Sequence, residues 1–358
     1  MTVYLRPTAF VDAPFGLDGQ VARLAGGMLW FSAVEWIERD GGRRTRADLV
    51  PVEELDARLA RAPDAAATWA RIVEARPRLR MGDRQIPLDQ PQVVGIVNAT
   101  PDSFSDGGRF ASPDQAADAG AAMTAAGAAI LDVGGESTRP GAKPVWEGDE
   151  IARILPVVQR LAGGGAAVSV DTRKGAVAAE AVRAGAAMVN DVSGGTFADS
   201  TFPIAAASGA ALVLMHHQGT PEVMQSEPRY ADVLLDVYDW LSERIEAAAA
   251  AGVDRARIIV DPGFGFGKTV SHNLQLMNGL SLFHGLGCPV MLGASRKRTI
   301  GALSGEAPAD GRLPGSLALA LKGADQGVQL LRVHDVPETV QALRVWRGLR
   351  DQALTPIL

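Results

Sequence analysis

Between residues 93 and 334 the chain repeats one pattern eight times. A short apolar run, rich in β-branched residues, ends in polar side chains; a loop and then an alanine-rich stretch with helical spacing follow. The runs are VVGIVN, AAILDVGG, AAVSVDT, AMVNDVSGG, ALVLMHH, RIIVDPG, PVMLGASRK and GVQLLRVH. Helices are expected over 113–127, 147–162, 174–184, 229–251 and 336–349. The first has the clearest start, Ser112-Pro113-Asp114-Gln115, with a capping hydroxyl, proline at the first helical position and Gln to complete a capping box. Strands that alternate with helices run parallel and are joined by right-handed crossovers. Eight units in about 260 residues match a (β/α)8 TIM barrel, an α/β fold. A doubly wound open sheet is the competing architecture.

The barrel reading locates the chemistry. In such a fold the active site is built where the strands end, from the loops that follow them. The eight runs deliver Asn98, Asp132, Asp171, Asn190, His216 with His217, Asp261, Ser295 with Lys297, and Arg332 with His334 to one rim. Carboxylates and amides there can accept from the amino and ring N–H groups of a flat, nitrogen-rich heterocycle, and can stabilise positive charge developing on it. Arg296, Lys297, Arg332 and His334 form a cationic wall on the last two runs, the usual phosphate side of this fold. The ligand so described has a polar ring at one end and phosphate at the other. A lone Asp after a strand is as readily a turn or helix cap, and Asp132 and Asp191 are read that way. Asp171, Asn190 and Asp261 together are read as a site. His216 and His217 are read as local hydrogen-bonding or packing residues, because no other His or Cys stands at ligand spacing for zinc. The loops 99–111 and 135–145 are candidate lids.

DPGFGFGKT invites a phosphate-loop reading, but the spacing fails. Four residues must separate the first glycine from Gly-Lys-Thr, which would require glycine at Pro262. The stretch is better read as a glycine ledge against which a planar ligand lies, with Phe264 or Phe266 as a wall. Residues 1–78 contain no lysine and three of the six tryptophans, Trp30, Trp36 and Trp69. MLWFSAVEWIER reads as a strand and PVEELDARLARAPDAAATWARIVEAR as two short helices broken at Pro63. This N-terminal segment is a small α+β extension of the barrel over 79–358, which itself begins with a hairpin at LRMGDRQIPLD.

A formal net charge of −6 argues against nucleic acid as a partner. No apolar stretch approaches ~18 residues, so no membrane span is read. One cysteine, Cys288, rules out an internal disulfide. With no signal peptide visible, the chain reads as cytoplasmic.

GIVNATPDSFSDGG, LDVGGESTRPGA, SVDT, VNDVSGG, LMHHQG, DPGFGFGK, SRK and LLRVHDV, in this order over residues 79–350, resemble the dihydropteroate synthases, folate-pathway enzymes targeted by sulfonamides. The resemblance implies a transferase that joins 6-hydroxymethyl-7,8-dihydropterin diphosphate to p-aminobenzoate and releases diphosphate. It implies pterin-binding roles for Asp171, Asn190, Asp261 and Lys297, with Asp171, Asp261 and Lys297 as the catalytic set. Asn98 matches the ligand of Mg2+. Arg332 and His334, joined by Thr138, match diphosphate contacts; Arg139, Pro140, Phe266 and Ser295 match the p-aminobenzoate pocket. The implied reaction is dissociative, through a pterin-methyl cation, and the implied assembly is a homodimer. Arg173 and His217 depart from the family pattern, and residues 1–78 have no counterpart in its short members. A methyltetrahydrofolate:corrinoid methyltransferase barrel would share the Asp/Asn wall but needs no diphosphate site.

Overall fold

The computed structural model describes residues 1–99, 112–137, 144–197, 201–219 and 228–355. Fourteen strands lie among them. Eight form one parallel sheet: β7 (Gln92–Asn98), β8 (Ile130–Gly134), β9 (Val168–Asp171), β10 (Met188–Asp191), β11 (Ala211–Met215), β12 (Ile258–Asp261), β13 (Met291–Leu292) and β14 (Leu330–Val333). The order runs from β12 back to β7 and then to β14 and β13. A parallel bridge between Val260 and Val290 closes the ring, with Val260 N donating to the Pro289 carbonyl at 3.0 Å. The fold is therefore the barrel, and the open sheet is excluded. The seventh strand is shorter than its apolar run suggests, two residues plus the bridge.

Each run is apolar on both faces because both are covered. Val93, Val97, Leu131, Val133, Val168, Val170, Leu212, Leu214 and Val260 point outward into the helical layer. Val94, Ile130, Met188, Val213, Ile259, Met291 and Leu330 point inward and pack on Leu79, Met81 and Ile86. Those last three belong to the hairpin β5 (Leu79–Met81) and β6 (Arg84–Ile86), which turns at Gly82 and plugs the barrel floor. The sequence anticipated this hairpin.

The helices follow the expected spans closely. Helix α3 (Pro113–Ala126) starts with Ser112 Oγ accepting from Gln115 N at 3.3 Å. Helix α7 (Val233–Ala250) starts four residues later than its pattern suggests, because Asp232 caps it through Leu234 N and Leu235 N. Among the described residues no helix is long and apolar enough to cross a membrane.

Residues 1–78 form an antiparallel sheet and two short helices. Strand β3 (Trp30–Asp40) pairs with β1 (Thr2–Val11), β2 (Ala22–Arg23) and β4 (Arg43–Pro51). Helices α1 (Leu55–Leu59) and α2 (Pro63–Val73) break at Pro63, as read. Phe31, Val34, Ile37 and Ile72 share one buried cluster with Leu282 and Phe283 of the barrel. Polar ties fix the seam: Tyr4 Oη donates to Asp239 at 2.8 Å, Arg71 Nε to the Gly285 carbonyl at 2.6 Å and Arg76 Nη2 to the His284 carbonyl at 2.9 Å.

His284 is fully buried at this seam, its Nε2 3.1 Å from the Gln326 carbonyl. Burial, aided by the charge of Arg76, pushes its imidazole down to about 3. The unfolded chain then takes up a proton below the ordinary histidine range that the folded chain refuses. Stability present above pH ~6.5 is lost toward pH 3, at about 1.4 kcal/mol per pH unit for such a group. His216 and His334 are lowered in the same sense, while raised carboxyls such as Asp171 oppose them. The difference between two proteins isolates one group. A His284→Gln variant should show a shallower loss of unfolding free energy between pH 6.5 and 5 than wild type, by close to one proton. Parallel slopes in denaturant titrations would contradict the assignment.

Candidate active site at the barrel rim

The inward-facing positions identify the site residues. Side chains alternate along a strand, so residues two above a floor residue share its face. Asp132 stands two above Ile130, Asn190 two above Met188, Asp261 two above Ile259 and Arg332 two above Leu330. Asp171 stands two above Ser169 in the same register. Asp191 has the opposite parity and faces the helices.

The structure brings four of these into contact. Arg332 Nε meets Asp132 Oδ2 at 2.6 Å and its Nη2 meets Asp171 Oδ2 at 2.7 Å. Asn190 Nδ2 donates to Asp132 Oδ2 at 2.9 Å. All four are buried or nearly so. Asp132 is thus a site residue and not a turn cap, which corrects the sequence reading. The cap reading holds for Asp191, which accepts from Ser193 N, Ser193 Oγ, Gly195 N and Thr201 Oγ1. The separate cationic and anionic walls also need correction: Arg332 lies among the carboxylates. Arg296 turns away to pair with Asp335, its backbone at φ +59°, which leaves Lys297 as that turn's cation toward the rim.

Two buried oxygens, Asp132 Oδ1 and Asp171 Oδ1, have no hydrogen-bond partner among the described residues. A buried acceptor left bare costs roughly 1–3 kcal/mol, so a native fold keeps it for a reason. Burial pushes the Asp171 carboxyl up to about 7, against Arg332 and with Asp132 and Glu150 adding to the rise. Burial also raises Asp261, opposed by the Gly263 N–H, Lys297 and Arg332. These acceptors suit a ligand that brings N–H donors and positive charge.

The glycine ledge carries its own brace. Gly263 N donates to Asp261 Oδ1 at 2.7 Å, and Gly263 sits at φ +70°. A Cβ there would fall 1.8 Å from the His216 carbonyl oxygen. Lys268, 2% exposed, reaches back to the Gly263 and Phe266 carbonyls at 3.0 Å each and to His216 Nδ1 at 2.9 Å. Burial pushes this amine down to about 7, yet three acceptors match the three hydrogens of an ammonium. His216, kept neutral by burial and by Lys268, can accept. Both histidines serve as hydrogen-bond partners within the fold, His216 to Lys268 and His217 to Thr196 and the Gly219 carbonyl. Gly263→Ala is therefore expected to destabilise by at least about 2–3 kcal/mol through strain and collision. Gly163→Ala, in open space at a helix end, should be neutral or mildly stabilising. Equal melting temperatures for the two variants would contradict this account.

At the cationic edge, Lys297 Nζ lies 3.9 Å from the centroid of the Phe266 ring. Ser295 Oγ lies 3.1 Å from His334 Nδ1 and accepts the His334 N–H at 3.3 Å. Burial and the charge of Arg332 hold His334 down to about 3, so it is a neutral imidazole in the free protein. Asn98 ends β7, half-buried and in register with Gly134. Thr138, Arg139 and Pro140, and most of the two candidate lids, lie outside the described residues. Sequence reasoning missed Asp132 and Lys268 as site-forming residues.

A family model described as "Pterin binding enzyme" matches residues 94–334. The dihydropteroate synthase of Escherichia coli K12 is 44% identical over 261 residues, covering 73% of this chain and 92% of that protein. That of Mycobacterium leprae is 46% identical over 260 residues, 71% and 92% of the two chains. Among solved structures, the Xanthomonas albilineans dihydropteroate synthase with 4-aminobenzoic acid matches with a TM-score of 0.73 and 45% identity over 78% of this chain and all of that one. A Yersinia pestis dihydropteroate synthase complexed with a sulfonamide drug gives 0.73 and 43% over 76% and 99%.

Proposed function

The chain belongs to the dihydropteroate synthase family of pterin-binding enzymes, and from that premise we propose that its rim joins 6-hydroxymethyl-7,8-dihydropterin diphosphate to p-aminobenzoate and releases diphosphate. The observation that carries the assignment of residues is the buried group Asp132–Arg332–Asp171 with Asn190 and its two bare acceptor oxygens. Asp171, Asp261, Asn190 and Asp132 receive the amino and ring N–H groups of the pterin. As the bond from the pterin methylene to the diphosphate oxygen breaks, the electron pair leaves with diphosphate and positive charge spreads into the ring. The carboxylates stabilise that charge. The amine of p-aminobenzoate then forms the new C–N bond and gives up a proton to solvent. Lys297, against Phe266, lies between ring and arylamine, with Ser295 on the arylamine side; the roles of Thr138, Arg139 and Pro140 rest on the family resemblance alone.

Arg332 and His334 draw off the diphosphate. His334 is neutral in the free protein, and an arriving anion favours its protonated form. The described residues offer no group of three His, Cys, Asp or Glu side chains for a metal. The amide oxygen of Asn98 is a hard donor, which fits Mg2+, an ion commonly held by one or two side chains and mainly by substrate phosphates. Bound there with the diphosphate, Mg2+ would neutralise charge on the leaving group.

The same reading takes the enzyme as a cytoplasmic homodimer without nucleic-acid or membrane partners. Buried Cys288, its thiol pushed up to about 11 by burial, suits a reducing compartment. The sulfonamide drug complex of the Yersinia pestis relative supports binding of such drugs by this enzyme as well. The test is diphosphate release from the pterin diphosphate with Mg2+, with and without p-aminobenzoate. Release that requires the arylamine supports the reading. Methyl transfer from methyltetrahydrofolate to a corrinoid protein, without such release, would replace it with the rival barrel chemistry.

A further inference from the structure

The N-terminal extension contributes no residue to the rim, yet its polar ties to the barrel fall on particular elements. Arg39, its side chain 12% exposed, pairs with Asp236 and, at 2.8 Å, with Asp239 of helix α7. Tyr4 Oη donates to the same Asp239 carboxylate at 2.8 Å. Arg44 Nη2 lies 3.0 Å from Asp232, the residue that caps α7. Arg6 Nη1 donates at 3.1 Å to the carbonyl of Asn278, the last residue of helix α8 (Val270–Asn278). Three residues on, Ser281 Oγ donates to the Pro7 carbonyl at 2.7 Å. Side chains of the extension thus grip two successive helices.

The same two helices hold the glycine ledge. Trp240 of α7 lies four residues after Asp236, so the two share a face. Its ring meets His216 edge to face, with centroids 5.0 Å apart. His216 in turn accepts from Lys268, whose ammonium also holds the Gly263 and Phe266 carbonyls. Tyr230, two residues before the α7 cap, donates through Oη to the Gly267 carbonyl at 2.8 Å. Asn273 of α8 accepts the Gly265 N–H through Oδ1 at 2.8 Å and donates to Thr299 Oγ1 at 3.0 Å. From Gly263 to Gly267 the ledge is therefore held by side chains that α7, α8 and their flanking residues put in place.

Three of those five residues are glycine, so the backbone has little stiffness of its own and takes its shape from what it is bonded to. What the ledge presents is Phe266, 3.9 Å from Lys297 Nζ at the ring centroid. The fit is close: a Cβ on Gly265 would lie 3.3 Å from Lys297 Cδ. The extension makes none of these bonds. It fixes the helices that make them.

We propose that the N-terminal extension is a brace for the glycine ledge: by gripping α7 and α8 it fixes Phe266 against Lys297, and thereby the affinity for the arylamine but not for the pterin. The inference rests on the functional reading above, which sets Lys297 and Phe266 between pterin and arylamine. Three of the four pterin acceptors, Asp132, Asp171 and Asn190, stand on β8, β9 and β10, which none of these ties touches. The fourth, Asp261, ends β12 and is fixed by the sheet.

Full-length wild type, Arg39→Met, the double variant Tyr4→Phe with Arg6→Met, and Arg350→Met are compared for KM of each substrate and for melting temperature. Arg350 is the control. It ties the extension to the last helix (Val336–Ala353), donating to the Met28 carbonyl at 3.0 Å, and that helix holds none of the ledge bonds named above. Coupling through packed elements is worth a few fold to about thirtyfold, so Arg39→Met should raise the KM for p-aminobenzoate about three- to tenfold. The KM for the pterin diphosphate should stay within about twofold, because no pterin contact is removed. The double variant keeps the ion pairs of Arg39 and loosens both helices more gently. It should raise the KM for p-aminobenzoate about threefold, and it decides the question should Arg39→Met not fold. Arg350→Met should lower the melting temperature and leave both KM values within about twofold. An unchanged KM for p-aminobenzoate in the folded brace variants, an equal rise for both substrates, or an equal rise in Arg350→Met would overturn the inference. Failure of the functional reading would show separately, as wild type that releases no diphosphate in response to p-aminobenzoate.

Discussion

An Asp171→Asn enzyme should fold, keep its Arg332–Asp132 pair and lose roughly 10²–10³ in turnover, the usual scale for removing one preorganised charge from a forming ion. Asparagine keeps the shape of the side chain and an acceptor, so the bare position at Oδ1 still meets a pterin N–H. On the proposed mechanism, what is removed is a negative charge that stabilises the methylene as it becomes positive. The pH profile gives a second signature. Burial raises the Asp171 carboxyl to about 7, so in wild type its charge is lost as pH falls through that value. The rate constant kcat/KM for the pterin diphosphate should fall about tenfold per unit below it. The asparagine variant has no such group, and its acid limb should flatten. A variant that keeps both wild-type turnover and the wild-type limb would remove Asp171 from the chemistry.

Arg332→Met should be the most damaging single change to stability at the rim. Arg332 is the counterion for two buried carboxylates, and its removal leaves Asp132 and Asp171 facing each other without compensation. Breaking a buried pair in this way costs about 3–5 kcal/mol, more than most substitutions. Protonation of Asp171, already easy in this setting, will absorb part of that cost and make the loss grow with rising pH. Adding Asp132→Asn to Arg332→Met should return part of the stability, because one of the two stranded charges is gone. It should not return turnover, because in the proposed reaction Arg332 also draws off the diphosphate. Denaturant unfolding of both single variants and the double variant measures the coupling. Additive losses would mean that Arg332 and Asp132 act independently, against the contact at 2.6 Å.

Most of the barrel could be read from the chain because its signal is local. Each strand announces itself by a β-branched run, and five of the helices by their spacing, with a legible cap at Ser112; the cap at Asp232 is legible only in the structure. The extension was harder. Strand β4 is exposed along Arg43–Ala47, so no alternation of apolar residues marks it, and only its pairing with β3 makes it a strand. Within the site, Asp171, Asn190 and Asp261 were found by position after a strand. Asp132 was misread although its parity matches Ile130, a signal that a comparison with Asp191 would have exposed. The bridging of Arg332 to Asp132 and Asp171 was not legible, since it depends on ring closure between residues 200 and 161 positions apart. Lys268 sits within the stretch read as a glycine ledge, but its bracing role is not legible there. Its partner His216 lies 52 positions away, and no local pattern couples them.

The proposed reaction requires one arrangement: buried carboxylates and an amide around the pterin ring, with Arg332 and His334 toward the departing anion. A crystal structure of the enzyme with bound 7,8-dihydropteroate tests it most directly. The pterin amino and ring N–H groups are expected within hydrogen-bond distance of Asp171, Asp261 and the Asn190–Asp132 pair, with the bare Asp171 Oδ1 occupied. A pterin ring seated elsewhere, with Asp132, Asp171 and Arg332 still paired as in the free protein, would contradict it.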